Sequence, residues 1–264
     1  MDTEIIKIHP GEGSVSEEDD RKLQAAGEIL KRGGLVAFPT ETVYGLGGDA
    51  LNPTSSQKIY AAKGRPSDNP LIVHIYRFED IEKITSKVPE EAKKIADAFW
   101  PGPLTMILPK SEAVPRETTG GLDTVAIRMP SHPAAQRLIK YSGGYIAAPS
   151  ANTSGKPSPT VAKYVVEDMM GRIDAIIDGG EVGIGLESTI IDLTVTPPQI
   201  LRPGYITKEK LSEVLGTVDT DTTILRADSG QAPKAPGMKY RHYAPKGELT
   251  IVEGTPEEVR EYIN

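Results

Sequence analysis

The chain of 264 residues contains no cysteine. That excludes a disulfide framework, a thiolate zinc site and a cysteine nucleophile. The remaining His9, His74, His132 and His242 show no metal-ligand spacing, so a zinc or di-metal hydrolase is not expected. No uninterrupted apolar run approaches a membrane span. Met1-Asp2-Thr3-Glu4 also lacks the basic segment and apolar core of a secretory leader. A cytoplasmic protein is therefore the expectation. Positive charge is not in excess either: the formal net charge is −7, so the molecule as a whole repels polyanions. Any anion site must then be a local concentration of Lys and Arg. A Walker A loop is absent. Gly45-x-Gly47-x-x-Ala50 only loosely fits a dinucleotide pattern, because Asn52-Pro53 intervenes before the next helix. The run from Leu35 to Phe38 instead reads as a strand leading into a glycine-rich turn, whose glycines suit a backbone that passes close to a ligand or to a neighbouring strand.

What is present is a soluble composition large enough for one good-sized domain plus an appendage. Ile5 to Ile8 alternates like a short strand, and Ser16 can cap a helix whose Leu23, Ala26, Ile29 and Leu30 form an apolar stripe. Strand-like runs follow at 35–38, 71–75, 104–108, 124–129, 145–148, 175–177 and 189–193. Helical patterns lie at 54–63, opened by a Thr54-x-x-Gln57 capping box, and at 89–98, 133–140 and 160–170. Pro89 and Pro133 read as first-turn prolines. Helices and strands interleave, yet several strands join without a helix, which predicts a layered α/β (α+β) domain on a mixed sheet. The pattern breaks near Gly216. The expected organisation is a main domain at 1–215, a linker at 216–247 and the start of a further α/β unit at 248–264. That last unit holds a strand from Glu248 to Val252 and a helix opened by Thr255-Pro256-Glu257-Glu258. One strand and one helix cannot bury a core, so the chain reads as ending shortly after a second domain begins.

Two polar loops carry the chemistry. Lys63-Gly64-Arg65-Pro66-Ser67-Asp68-Asn69-Pro70-Leu71-Ile72-Val73-His74 joins a helix to a strand. Its prolines forbid a helix there, and it presents a point charge, a planar fork and orientable hydrogen-bonding groups. It reads as a polyanion cradle or as a solvated charged turn. The second loop, Ala148-Pro149-Ser150-Ala151-Asn152-Thr153-Ser154-Gly155-Lys156-Pro157-Ser158-Pro159-Thr160, sets five hydroxyl side chains and one amide among three prolines. His74 lies in a strand-like run and is either a satisfied core residue or a site residue. Arg128, on a strand beside Val125-Ala126-Ile127, must be paired, either in an internal salt bridge or with a ligand carboxylate. Arg202, in Leu201-Arg202-Pro203-Gly204, ends a strand beside a turn. The single tryptophan, in Phe99-Trp100-Pro101-Gly102-Pro103, reads as packing.

Lys63-x-Arg65 and Ser150-x-Asn152 form a quartet. It is joined in order by Pro39-Thr40-Glu41-Thr42-Val43-Tyr44-Gly45, Phe99-Trp100-Pro101-Gly102-Pro103-Leu104-Thr105, Ala126-Ile127-Arg128-Met129-Pro130 and Glu187-Ser188-Thr189. Over about Gly33 to Gly204 the chain resembles the YrdC-like family of threonylcarbamoyl-AMP synthases, in the longer form that carries a linker and a C-terminal domain. The resemblance implies a twisted mixed sheet with a concave ligand face. It also implies formation of threonylcarbamoyl-AMP and pyrophosphate from L-threonine, bicarbonate or CO2, and ATP, for N6-threonylcarbamoyladenosine in tRNA. By the same resemblance Thr40, His74, Arg128, the Ala148 backbone and Ser188 hold threonine. Lys63, Arg65, Asn69, Thr124, Ser150, Asn152, Ser158, Arg202 and Tyr243 hold ATP, with Lys63 and Arg65 acting in catalysis. Mg²⁺ is expected with the triphosphate, without nameable protein ligands, and a downstream tRNA threonylcarbamoyltransferase is the expected partner. The linker stretch Lys239-Tyr240-Arg241-His242-Tyr243-Ala244-Pro245 is expected to fold over the nucleotide. Two rivals remain: a non-catalytic RNA-binding module, disfavoured by the negative charge and the lack of an aromatic RNA-reading motif, and a carbamoyltransferase-related nucleotide-binding domain, which would bring Cys-rich zinc modules that this chain lacks.

Overall fold

A computed structural model describes residues 2–9, 14–221 and 250–263. The described strands are β1 (Glu4–Lys7), β2 (Val36–Phe38), β3 (Gly45–Asp49), β4 (Ile72–His74), β5 (Leu104–Pro109), β6 (Thr124–Arg128), β7 (Ile146–Ala147), β8 (Ala175–Asp178), β9 (Thr189–Asp192), β10 (Gln199–Arg202) and β11 (Asp219–Thr220). They form one sheet in the order β1-β8-β2-β3-β7-β4-β6-β5-β9-β10-β11. The pairs β1/β8, β2/β8, β4/β6, β5/β9 and β10/β11 are parallel. The others are antiparallel. This is the mixed, layered α/β arrangement expected from the pattern of elements. Its last strand lies beyond residue 215, where the composition changes.

Local chemistry sets the helix ends. Ser16 accepts a bond from Asp19 N at 3.1 Å and caps α1 (Glu17–Lys31), as expected. The Thr54 capping box does not form. Pro53 takes the first helical position of α2 (Pro53–Lys63), and Asn52 is the cap, accepting from Thr54 N at 3.0 Å. Gly64 ends α2 with φ 60°. Three further helices follow: α3 (Ile81–Ile84), α4 (Glu90–Phe99), with Pro89 at the cap rather than in the first turn, and α5 (Pro133–Tyr141). Then come α6 (Ala162–Met169), α7 (Lys208–Leu215) and α8 (Pro256–Ile263). At α8 the expected box does form: Thr255 N donates to Glu258 Oε2 at 2.8 Å, and Glu258 N returns to Thr255 Oγ1 at 3.4 Å. The strand expected at 248–252 is absent over its described part, 250–252, where no described strand pairs with it.

The glycine-rich turn expected after Phe38 is also corrected. Gly45–Asp49 is a strand, antiparallel to β2 and to β7. A Cβ on Gly47 would come within 2.8 Å of the Ile146 side chain and 2.9 Å of Phe38. The glycines therefore serve close packing inside the sheet, and their low strand propensity hides the strand from sequence.

Strand alternation sorts the core into layers. Val36 and Phe38 of β2 join α1 and α5 through Leu23, Leu30, Leu138 and Ile139. Ala37 points the other way, into the larger core with Ile59, Val73, Ile95, Ile127, Val165, Ile176 and Leu211. On the α1/α5 side, β4, β6, β5, β9 and β10 carry only a small apolar cluster of Ile72, Ile107, Ala126, Ile190 and Leu201. That half-face, without a helix cluster of its own, holds the site.

Two buried phenols give the fold an alkaline limit. Tyr44 donates to Gly180 O at 2.7 Å, and Tyr60 to Glu117 O at 3.0 Å. Burial pushes both up to about 12 from 10.0. A raised folded value means that stability is complete below pH 10 and is lost as pH climbs through about 12. Each should cost about 2–3 kcal/mol by the upper end of that window. Urea melts at pH 8 to 12 should show the decline, and Tyr60→Phe should remove about half of it. A flat profile across that range would rule the effect out.

Candidate functional site

The sheet register builds the site. Pairing of β4, β6 and β5 sets His74 opposite Arg128 and Arg128 opposite Thr105, in one row across three strands. A second row, Ile72, Ala126 and Ile107, lies two residues back and supplies an apolar floor. Thr105 Oγ1 bonds Ser188 Oγ at 2.7 Å just ahead of β9. Arg202, at the end of β10, donates to Ser188 O at 3.0 Å and to Ser188 Oγ at 3.1 Å. Ala148, next to β7, gives its N–H to Ile72 O at 2.9 Å. Any backbone contact it makes to a ligand therefore falls to its carbonyl.

Of these residues Ile72, His74, Arg128, Ala148, Ser188 and Arg202 line a cavity of about 290 Å³, together with Thr40, Arg65, Pro149, Ser150 and Glu187. All five residues expected to hold threonine (Thr40, His74, Arg128, Ala148, Ser188) thus meet there, with Arg65, Ser150 and Arg202 of the ATP set. Asn69, Asn152, Lys63, Thr124 and Ser158 do not line it. Tyr243, the lid stretch at 239–245 and His242 lie outside the described residues. Thr40 Oγ1 is engaged locally, donating to Val43 O at 2.7 Å and accepting from Thr42 N at 3.2 Å.

Arg128 is 4 % exposed. Its Nη2 sits 2.8 Å from Glu41 Oε1, yet Nε, Nη2 and Glu41 Oε1 are not aligned for a hydrogen bond. The charge is neutralised while much of the donor fork is unspent, a costly state unless a ligand completes it. Both alternatives open from sequence, an internal ion pair and a carboxylate clamp, are compatible with this geometry. His74 Nδ1 lies 3.1 Å from Ile72 O. A carbonyl can only accept, so Nδ1 carries the proton. Burial, and secondarily Arg128, depress the imidazole to about 3 against the opposing pull of backbone bonds to Ile72 and Ile146. It is neutral at any working pH. Its ring meets Phe38 edge-on at 6.1 Å. Arg202 is lowered to about 10 by burial, with Glu187 opposing and Arg128 and Arg65 adding to the shift.

The two polar loops close one wall. Lys63 is 2 % exposed, and its ammonium is held by the Ser150 and Asn152 carbonyls. It is not presented as a point charge on the surface. Burial, with Arg65 adding and Asp168 opposing, holds its pKa well below the lysine range. The Lys63 carbonyl also accepts Ser154 N at 2.9 Å. Ser150 Oγ donates to Asn152 Oδ1 at 2.5 Å, and Asn152 Nδ2 donates to Lys156 O at 2.8 Å. The Ser150-x-Asn152 pair is thus part of the loop's internal frame. Arg65 reaches Pro70 O at 3.2 Å. Thr124 begins β6 opposite Pro109.

Sequence reasoning missed Glu41, Thr105 and Glu187 as site residues. Each lay inside a quoted motif, and the need of a buried arginine for a carboxylate was a signal. Only the register shows which carboxylate answers it. Trp100 is buried, with Nε1 bonded to Leu104 O at 2.7 Å, consistent with packing. His132 accepts Ala134 N at 3.2 Å and caps α5.

The described residues contain no group of His, Asp and Glu able to hold a metal ion, and no helix long and apolar enough to cross a membrane. The sequence model of the Sua5–YciO–YrdC family, described as telomere recombination, matches residues 28–204. A second, described as the threonylcarbamoyl-AMP synthase C-terminal domain, matches residues 206–263. The chain is 55% identical to a threonylcarbamoyl-AMP synthase of Pyrococcus abyssi over 93% of its own length and 72% of the relative's. It is 52% identical to one of Bacillus subtilis, over 93% of itself and 70% of the relative. A crystal structure of P. abyssi Sua5 complexed with L-threonine superposes with a TM-score of 0.92 at 52% identity, covering 99% of this chain and 75% of that one. On these matches the chain belongs to the Sua5–YciO–YrdC family, among its threonylcarbamoyl-AMP synthases.

Proposed function

We propose that the cavity on the open half-face joins L-threonine, CO2 or bicarbonate, and ATP into threonylcarbamoyl-AMP and pyrophosphate. The observation that carries this reading is the convergence of Thr40, His74, Arg128, Ala148 and Ser188 on one cavity with Arg65, Ser150 and Arg202. Arg128, with donors unspent, takes the amino-acid carboxylate. The Ala148 carbonyl, Ser188, Thr40 and the neutral His74 fix its remaining groups. Arg65, Ser150 and Arg202 face the nucleotide. Lys63, Asn69, Thr124, Asn152 and Ser158 complete its site from behind, and Tyr243 from the segment outside the described residues. The amine captures CO2 as a carbamate, whose oxygen attacks the α-phosphorus in line and expels pyrophosphate. No protein nucleophile is needed. The residues bring the reactants together and neutralise charge developing on the phosphates. Mg²⁺, which accompanies nucleoside triphosphates, would be held mainly by the triphosphate oxygens. The activated product is passed to tRNA by a downstream threonylcarbamoyltransferase, as the family membership suggests.

Pyrophosphate release from ATP should require both threonine and bicarbonate. Serine should be a poorer substrate by about fourfold, because the missing methyl is worth about 0.8 kcal/mol. Equal release with and without threonine would sink the reading.

A further inference from the structure

We propose that Glu187 receives the α-ammonium of the amino-acid substrate and takes the proton that must leave before nitrogen can bind CO2. The assignment deepens the reading above and rests on it. Arg65, Arg128 and Arg202 line the cavity, and Glu187 is the carboxylate among its described lining residues. A cavity of three guanidiniums favours a carboxylate and a triphosphate but repels an ammonium, so a zwitterionic substrate needs an anionic counterpart there.

The other groups are committed. Glu41 is paired in charge to Arg128, and its Oε2 accepts Ser131 N at 3.1 Å. Ser188 Oγ is taken by Thr105 and Arg202. His74 places Nδ1 on Ile72 O. The Ala148 carbonyl can accept an N–H but cannot take a proton. Glu187 differs: Ser158 Oγ donates to its Oε1 at 2.6 Å, and no hydrogen bond from a described residue reaches Oε2. Its backbone is fixed as well. A Cβ on Gly204 would lie 2.6 Å from Glu187 O and from Thr189 N, so the turn after β10 packs directly on this segment. Ser158 orients the carboxylate by holding one oxygen, and the residue lines a cavity that admits the substrate.

The proton balance is simple. The ammonium gives one proton to Glu187, leaving a neutral amine and a carboxylic acid. The nitrogen lone pair forms the C–N bond to CO2 and one C=O π pair moves onto oxygen. The second proton leaves nitrogen for solvent, and Glu187 re-ionises by releasing its proton. The charged and titratable groups facing Glu187 are Arg65, Arg128, Arg202 and His74, with Glu41 behind Arg128. His74 is neutral throughout, and Arg202, lowered to about 10, keeps its charge across the range tested.

The test compares the 264-residue protein with Glu187→Gln and Glu187→Asp. Pyrophosphate release is followed from pH 6.5 to 9, with threonine and ATP varied in turn. Glu187→Gln should lower kcat/KM for threonine about a hundredfold at pH 7, with KM for ATP unchanged within about twofold. The deficit should shrink about tenfold per pH unit as solution supplies the neutral amine. Glu187→Asp should restore part of the rate and a flatter profile, and serves if the Gln variant does not fold. Active wild-type protein with a Gln variant of unaltered pH profile, or one whose loss appears in KM for ATP, overturns this assignment alone. Wild-type protein without threonine-dependent release overturns the underlying reading and this assignment together.

Discussion

Arg128→Lys should lose threonine binding by about thirtyfold to a thousandfold while leaving ATP binding and the melting temperature nearly intact. The lysine keeps a positive charge beside Glu41, which lies 2.8 Å from the present guanidinium, so no buried carboxylate is orphaned. What disappears is the planar fork, whose Nε and Nη2 are buried without an aligned partner. A charge-assisted contact to a carboxylate in such a place is worth about 2–4 kcal/mol, which is that range of affinity. Arg128→Ala should lose as much binding but also melt lower, because Glu41 is then left facing Arg128's empty place. A second readout is His74, whose imidazole is depressed mainly by burial and then by Arg128. Its pKa should rise in Arg128→Ala and stay low in Arg128→Lys, as histidine NMR titrations can show. Calorimetry in which Arg128→Lys weakens ATP and threonine equally would refute the division of the cavity into amino-acid and nucleotide halves.

How legible the site was depends on the length scale of each contact. His74 and Arg128 were candidates because a histidine and an arginine in apolar strand runs are exceptional. Their meeting needed only the parallel register of β4 on β6. Gly47 went the other way. It reads as a turn residue, but its reason is the 2.8 Å approach to Ile146, about a hundred residues distant. The Thr54 box failed for a local reason: Pro53 starts the helix one residue earlier and hands the cap to Asn52. Lys63 was the hardest to place. A lysine before Gly-x-Pro looks presented to solvent, and only the fold shows carbonyls of the second loop waiting for it. Glu187 was visible as a letter in Glu187-Ser188-Thr189, but its neighbours Ser158 and Gly204 come from other segments.

Lys63→Met should lower turnover about a hundredfold with little change in global stability, and the reason is a cancellation. Removing the amine orphans the Ser150 and Asn152 carbonyls, now held by Nζ, at about 1–3 kcal/mol each. It also releases a buried ammonium whose pKa is driven well down by burial, a relief of several kcal/mol. The two terms are of similar size, so melts in urea should shift little. The loop does not share in that cancellation. It is clipped to α2 by the Lys63 side chain and by Ser154 N on the Lys63 carbonyl at 2.9 Å. Without the side chain, Ser150 is no longer held at the cavity wall, and a displacement of about 1 Å there is enough for a hundredfold loss of rate. Amide exchange over 150–156 should accelerate at least about tenfold while exchange in β4, β5 and β6 is unchanged. The competing reading, a lysine that touches the triphosphate directly, makes a different forecast. It expects unchanged loop exchange and a loss confined to ATP affinity, and that pattern would overturn the clip.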